Sequence, residues 1–359
     1  MTTKFKKKHI AGFDCRLSTF RNTLAYNDVV LSNSMVLGLS GCLIFCYNDG
    51  QYYNRVSGSV IAGINDQSLE GLAFNLNIYL MKGRMFDIED AKKSIPKYLA
   101  LNLPVNIAIN RPELKKIINQ ESLPANLGHH YITITDYDSS SDLFTIFETD
   151  TSQQITINSK QLEQIWFYDI NSRRQGIDPF QPCDGQWYTF FSTTLSSDQL
   201  KIAAINGIKK VITNFFDSPV PQTYGIESLL NLKEKITGLK SLNDLAQIKD
   251  SIYLISFMES GMSGGGFGRK SYSFFLTEIS NILQNKDLKM IALKFREVAD
   301  LWKTFINNLR ITVELQNSNL GSEHIISLKN QINEVCILEI ECMTDLKNWS
   351  HESKNYISA

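Results

Sequence analysis

Hydrophobic residues change their spacing part-way along this 359-residue chain. Over residues 99–109 and 131–150 apolar side chains come in short runs or alternate, the period of a strand whose neighbours point to opposite faces. After Pro179, Pro182 and Gly185 they recur at helical spacing, as in Leu200, Ala203, Ala204, Ile208 and Val211, with Ser196 and Ser197 in front as capping residues. The run Ser218-Pro219-Val220-Pro221 interrupts this pattern before Leu229, Leu232 and Ile236 resume it, and further helices are predicted over 293–309 and 325–346. Strand and helix periods cannot share one layer, so the chain reads as an α+β domain over 1–175 followed by an all-helical domain over 176–359.

Composition narrows the function. Lys plus Arg number 36 and Asp plus Glu 37, a formal charge of −1, without the basic excess that a nucleic-acid partner demands. With 43% hydrophobic and 20% charged residues the chain is globular rather than disordered. The most apolar tract, 29–47, is interrupted by Ser32, Asn33, Ser34 and Ser40, too polar for a bilayer span. Lys4, Lys6, Lys7 and Lys8 precede only a few apolar residues before Asp14 and Arg16, which is no targeting signal. The six cysteines form no C-x-x-C pair, so neither a disulfide framework nor a metal site is expected. These features predict a cytoplasmic protein with reduced thiols.

Two segments carry reactive residue types. Cys15 stands directly before a stretch in which Leu17, Phe20 and Leu24 share a helical face, which puts its thiol at a helix N-terminus. Unpaired N–H groups and the helix dipole favour an anion there and can stabilise an oxyanion formed beside it. Asp14 opposes a thiolate if its carboxylate points the same way, and a lone cysteine is equally an ordinary buried side chain, so the reading needs a partner. The segments 128–135 and 143–150 flank a polar turn and predict a hairpin. With the turn centred on Ser140, Ile134 opposes Ile146, Ile132 opposes Glu148 and His130 opposes Asp150. Directly opposed side chains lie roughly 5 Å apart at Cβ, within reach of an imidazole–carboxylate hydrogen bond. A one-residue slip would present His129 to Asp150 instead. His9, His324 and His351 have no strand context and read as surface residues. Cys15, His130 and Asp150 thus form a candidate nucleophile, base and orienting carboxylate. Cys42 and Cys46 lie in an apolar tract and read as core.

The stretch Phe13-Asp14-Cys15 to Ala25-Tyr26, then Leu31-Ser32-Asn33-Ser34-Met35-Val36-Leu37-Gly38-Leu39-Ser40-Gly41 and Phe45-x-Tyr47, resembles the N-terminal domain of the butirosin biosynthesis protein H family. Cys15, Ser32, Gly38, Gly41, His130 and Asp150 match that family's pattern, whereas Asn33 stands where a Glu is usual and Asp14 where a His is common. Residues 261–269 and 272–278, with Gly264, Gly265, Gly266, Arg269, Tyr272 and Phe274, look like the Gly-rich signature of the helical domain that commonly follows. The resemblance implies a papain-like (cysteine-protease-like) fold and a cysteine acyltransferase with no bound cofactor, its helical domain covering the substrate site. Such an enzyme moves an acyl group from the phosphopantetheine thioester of an acyl or peptidyl carrier protein onto an amine or diamine. The amide-forming step of closthioamide assembly is one branch of this kind. Ser32, Asn33 and Arg269 become candidate substrate contacts, and Lys4, Lys6, Lys7 and Lys8 or Arg173 and Arg174 candidate carrier contacts.

Other functions stay open at this point. A cysteine peptidase or amidohydrolase uses the same three groups, with water in place of the amine, and a binding protein can keep the fold without the chemistry. The glycine cluster meets neither phosphate-loop pattern, because Arg269 stands where the dinucleotide form needs glycine and no Gly-Lys-Ser follows.

Overall fold

The computed structural model describes residues 9–48, 60–64, 68–119, 129–151, 153–167, 183, 185–191, 195–249, 251–261, 263–314 and 321–352. The chain forms two compact units that are not consecutive halves: Met1–Asn33 with Asn77–Leu195, and Ser34–Leu76 with Ser196–Ala359. These units are not the consecutive domains expected on either side of residue 175: Ser34–Leu76 group with the later helices, and the first unit runs on to Leu195.

The first unit holds α1 (Cys15–Tyr26), β3 (Tyr79–Arg84), α4 (Ile88–Ala100), β4 (Val105–Asn110), α5 (Arg111–Ile117), β5 (His129–Asp138), β6 (Leu143–Phe147), β7 (Gln154–Asn158), α6 (Ser159–Trp166) and β8 (Gln186–Phe191). Its strands form a six-stranded sheet in the order β3-β8-β4-β5-β6-β7, each adjacent pair antiparallel. Strand β8 belongs here because it pairs with β3 from Tyr79↔Phe191 to Arg84↔Gln186 and with β4 at Asn106↔Tyr188. No local period reveals such a pairing between distant segments. The segment 99–109 expected as strand is helix up to Ala100, and the strand begins at Val105.

Alternation along these strands makes two unlike faces. One is apolar: Val105, Ile107, Ile109, Ile132, Ile134, Phe144 and Ile146 pack with Ala91, Ile95, Leu114, Leu162, Ile165 and Trp166 from α4, α5 and α6. The intervening Asn106 and Thr133 face α1, which is buried throughout Leu17–Tyr26. Polar groups buried there must be paired. Asn106 Nδ2 donates to Thr23 Oγ1 at 2.7 Å, Thr133 Oγ1 donates to Asn106 Oδ1 at 2.8 Å, and the hydroxyls of Thr19 and Tyr188 are bonded to each other. This seam holds α1 against the sheet, and Cys15 opens the helix.

The second unit holds α2 (Asn33–Ser40, apart from its first residue), the hairpin β1 (Leu43–Asn48) and β2 (Val60–Ile64), α3 (Ser68–Leu76), α7 (Ser197–Phe216), α8 (Ile226–Thr237), α9 (Ala246–Lys249), α10 (Ile252–Ser260), α11 (Arg269–Ile282), α12 (Lys286–Glu314) and α13 (Gly321–Glu352). A capping box of Ser196 and Gln199 starts α7. The helices predicted over 293–309 and 325–346 are the interiors of α12 and α13. A lone hairpin is marginal in water and needs cover. The helices supply it: Phe45 stacks on Trp302 at 5.3 Å between ring centroids, and Ile44 O accepts from Arg269 at 2.8 Å. That demand draws 34–76 to the helical unit. Cys42 and Cys46 are buried. Among the described residues no helix is long and apolar enough to cross a membrane.

Candidate active site

Cys15 is the first residue of α1 and the one cysteine of the six that is not buried. Asp14 does not face its thiol with a free carboxylate. It is the N-cap: Oδ1 accepts from Arg16 N at 2.8 Å and from Leu17 N at 3.0 Å, and Ser18 N donates to Asp14 O at 2.9 Å. Capping in this way consumes the carboxylate and settles the helix start.

His130 and Glu148 are almost wholly buried, at 1% exposure each. His130 Nε2 hydrogen-bonds Glu148 Oε1, and Cys15 is the second group near enough to the same imidazole to raise its pKa. Glu148 Oε2 is fixed separately, accepting from Asp150 N and Thr151 N at 2.9 Å each and from Thr151 Oγ1 at 3.1 Å. Thr149 Oγ1 donates to Tyr131 O at 3.1 Å and lies 3.4 Å from His130 Nε2. With its hydrogen directed to Tyr131 O, that hydroxyl and the carboxylate are both acceptors at Nε2. Nε2 therefore carries a proton, and Nδ1 is left for exchange with the thiol.

The carboxylate bonded to His130 is thus Glu148, and not the Asp150 expected opposite it. The predicted register holds at Ile134↔Ile146 and Thr133↔Phe147, but β6 ends at Phe147. Glu148 N then donates to Gln153 O at 3.0 Å, closing a turn rather than extending the ladder. Asp150 is carried round that turn and ion-pairs with Arg111. The ligating atoms of His130, Glu148 and Asp150 still lie within 4.8 Å of one another, and the Arg111 guanidinium provides positive charge at that cluster. Residues 148 and 150 have the same strand parity, so the alternation already brought two carboxylates to the histidine's face, and only the turn chose between them.

The electrostatics follow from burial and pairing. Burial alone lowers the His130 pKa, but hydrogen bonds to Cys15 and Glu148 and the charge on both outweigh it and push the value up to about 10. Burial raises that of Glu148, and the His130 hydrogen bond and charge, with Lys115 and Thr151, overcome it and hold the carboxyl at about 2. The imidazole is a cation braced against a carboxylate. Tyr188, beneath α1, is pushed well above its ordinary pKa by burial and stays a neutral hydroxyl.

Other predicted residues fall elsewhere. Asn33 is buried, donating from Nδ2 to Ser18 Oγ at 3.2 Å, one turn below Cys15. Ser32, half-buried, stands just before α2. Arg269 is no substrate contact. It is 1% exposed in the second unit, where Nε and Nη2 donate to Glu339 Oε1 and Nη1 donates to Ile44 O and Phe267 O at 2.8 Å each. An arginine committed to four such bonds has no free edge for a ligand. The glycines beside it serve the backbone: a Cβ on Gly266 would lie 2.4 Å from Ala299 Cα, and its φ is +59°. Lys4, Lys6, Lys7, Lys8, Arg173 and Arg174 lie outside the described residues. His9, expected at the surface, stacks on Phe147 at 4.1 Å, and burial together with the charge of Arg21 lowers its pKa to about 3.

A cysteine opening a buried helix, with a strand histidine beside it, is the arrangement of a papain-like unit. The family model for the N-terminal domain of butirosin biosynthesis protein H matches residues 14–149, a span containing Cys15, His130 and Glu148 and ending before Asp150. Residues 14–149 belong to that family. A domain of unknown function (DUF4872) matches residues 169–346, so the chain joins a papain-like domain to a helical one. No curated protein matches the chain. Membership implies an acyltransferase-like role in biosynthesis.

Proposed function

We propose that the chain is an amide-forming acyltransferase that takes an acyl group from a carrier-protein thioester onto Cys15 and passes it to an amine or diamine. One observation carries the mechanism: a fully buried His130, coupled electrostatically to Cys15, is bonded to a carboxylate whose second oxygen is locked by two backbone N–H groups. Cys15 attacks the thioester carbonyl as a thiolate beside the imidazolium. Asp14 occupies the N–H groups of Arg16 and Leu17, which leaves the Cys15 N–H as the oxyanion donor at the helix start. As the carbon–sulfur bond to the pantetheine arm breaks, His130 gives its Nδ1 proton to the departing thiolate and an acyl-cysteine remains.

The amine then attacks the acyl-cysteine, its surplus proton passes to His130 Nδ1, and Cys15 leaves as the thiolate, restoring the starting pair. Glu148 stays ionised and fixes the ring orientation and the Nε2 proton, the role of the third member of a triad. Thioester exchange onto a cysteine is close to energetically neutral, so the site's task is to admit an amine and exclude water. No bound cofactor enters the scheme, and the phosphopantetheine arm belongs to the carrier.

Intact-mass spectrometry after incubation with an acyl-loaded carrier or a simple acyl thioester tests this reading. An acyl adduct is expected on the wild type and not on Cys15→Ala, discharged by added diamine to an amide. Discharge equally fast in water alone makes the chain a hydrolase, and no adduct with several thioesters makes it a binding protein; either result overturns the proposal.

A further inference from the structure

The residues immediately before the nucleophile are held by an unusual set of bonds. Arg21, in the second turn of α1, is 8% exposed and has no carboxylate partner among the described residues. Its guanidinium is turned on main-chain carbonyls instead: Nη2 donates to Ile10 O, and Nη1 and Nη2 each reach Ala11 O at 3.5 Å. Nε and Nη2 donate to Asn22 Oδ1 at 3.2 and 3.0 Å. Asn22 completes the grip, its Nδ2 lying 3.2 Å from both Ile10 O and His9 Nδ1 while Ile10 N donates to its Oδ1 at 3.3 Å. Burying a charge without a counter-ion is costly, and burial lowers the Arg21 pKa to about 10. The helix itself is anchored to the sheet by other groups, the Thr19–Tyr188 and Thr23–Asn106 bonds.

The far ends of the grip reach the other half of the site. The His9 ring stacks on Phe147, the last residue of β6, and Gly12 N donates to Thr149 O at 3.2 Å. Thr149 is the residue after Glu148, and its hydroxyl lies at His130 Nε2. Gly12 is closed in from behind, since a Cβ there would lie 1.9 Å from Asn33 Nδ2 and 2.1 Å from Ser18 Oγ. Residues 9–12 are thus bonded at one side to the helix that carries the thiol and at the other to the turn that carries the carboxylate.

We infer that residues 9–12 form a strap that sets the separation of the Cys15 thiol and the His130 imidazole, and that Arg21 and Asn22 are its positioning residues. The inference rests on Cys15 and His130 being the reacting pair, and a displacement of about 1 Å in such a pair can cost about 100-fold in rate. The polar atoms of Arg21 and Asn22 are spent on residues 9–11 and on each other.

Alkylation of Cys15 in the full chain by iodoacetamide, followed by mass spectrometry, reads the strap without any thioester; the other five cysteines are buried. Arg21→Met is expected to slow alkylation at least about 10-fold and to lower kcat for acyl transfer much more than it changes KM, while Arg21→Lys, which still donates to the strap carbonyls, recovers part of both. A rate for Arg21→Met within about twofold of wild type, or equal losses in the methionine and lysine variants, would overturn the inference. If Arg21→Met does not fold, Asn22→Ala decides, because it removes the second anchor and leaves the charge; wild-type alkylation in that variant is the contrary result. Absence of an acyl adduct on the wild type would refute the acyltransferase reading and leave this comparison intact.

Discussion

Replacing Glu148 by glutamine removes the negative charge from the Nε2 side of His130 while keeping an acceptor oxygen of nearly the same shape. The fall of the Glu148 pKa from 4.5 to about 2 measures how much the folded protein favours the carboxylate, about 3 kcal/mol at roughly 1.4 kcal/mol per tenfold change in proton affinity. The rise of His130 from 6.5 to about 10 corresponds to about 5 kcal/mol by the same conversion, and it is larger because Cys15 adds to it. The Glu148 figure, to which Lys115 and Thr151 also contribute, is therefore the nearer measure of this pair, and the two are views of one interaction that do not add. Glu148 has a depressed folded pKa, so its stabilisation is complete above pH 4.5 and lost as pH falls through about 2. His130 has a raised one, so its share is complete below pH 6.5 and lost as pH rises through about 10. Between pH 4.5 and 6.5 both contribute in full, and Glu148→Gln is expected to cost about 3 kcal/mol there, shrinking towards pH 10 and above. Urea unfolding of wild type and variant at pH 5.5 and again near pH 10.5 measures the difference directly, provided the slopes of the transitions match. A loss that is the same at both pH values, or below about 1 kcal/mol at the lower one, would refute the assignment of Glu148 as the charged partner of His130.

The corrected carboxylate makes a second comparison possible. Asp150→Asn removes only the partly exposed Arg111 pair, so it is expected to cost about 1 kcal/mol or less and to slow Cys15 alkylation far less than Glu148→Gln; a reversed order would return the orienting role to Asp150. Arg269→Met leaves Glu339 buried without its cation and two carbonyls without donors, and should lower unfolding stability by about 3–5 kcal/mol in urea without altering the KM for a thioester. A raised KM in a folded Arg269 variant would restore the substrate role expected from the sequence.

Local chemistry was legible wherever it depended on neighbours in the chain. A thiol placed just before an apolar helical face had to sit at a helix start, and His130 had to lie on a strand of a hairpin, because side-chain period and turn composition are written within a dozen residues or so. The same reasoning read the cap at Ser196 and the interiors of α12 and α13. It also put both Glu148 and Asp150 on the histidine's side and chose Asp150, the residue opposite His130 in an uninterrupted ladder. The choice fell to Glu148 where β6 stops, and a strand stops for reasons of long-range pairing and turn closure that alternation does not encode.

What the sequence by itself determined is the class of fold and the placing of Cys15 at a helix start and of His130 on a strand, since each follows from short-range period, capping and turn signals. Tertiary structure decided which carboxylate serves His130 and that Arg269 is a buried tie. It also decided that 34–76 join the helices and β8 the sheet, and that His9 stacks on Phe147. All of these turn on contacts between segments far apart in the chain, where a side chain's partner is set by which surfaces must be covered rather than by its neighbours in sequence.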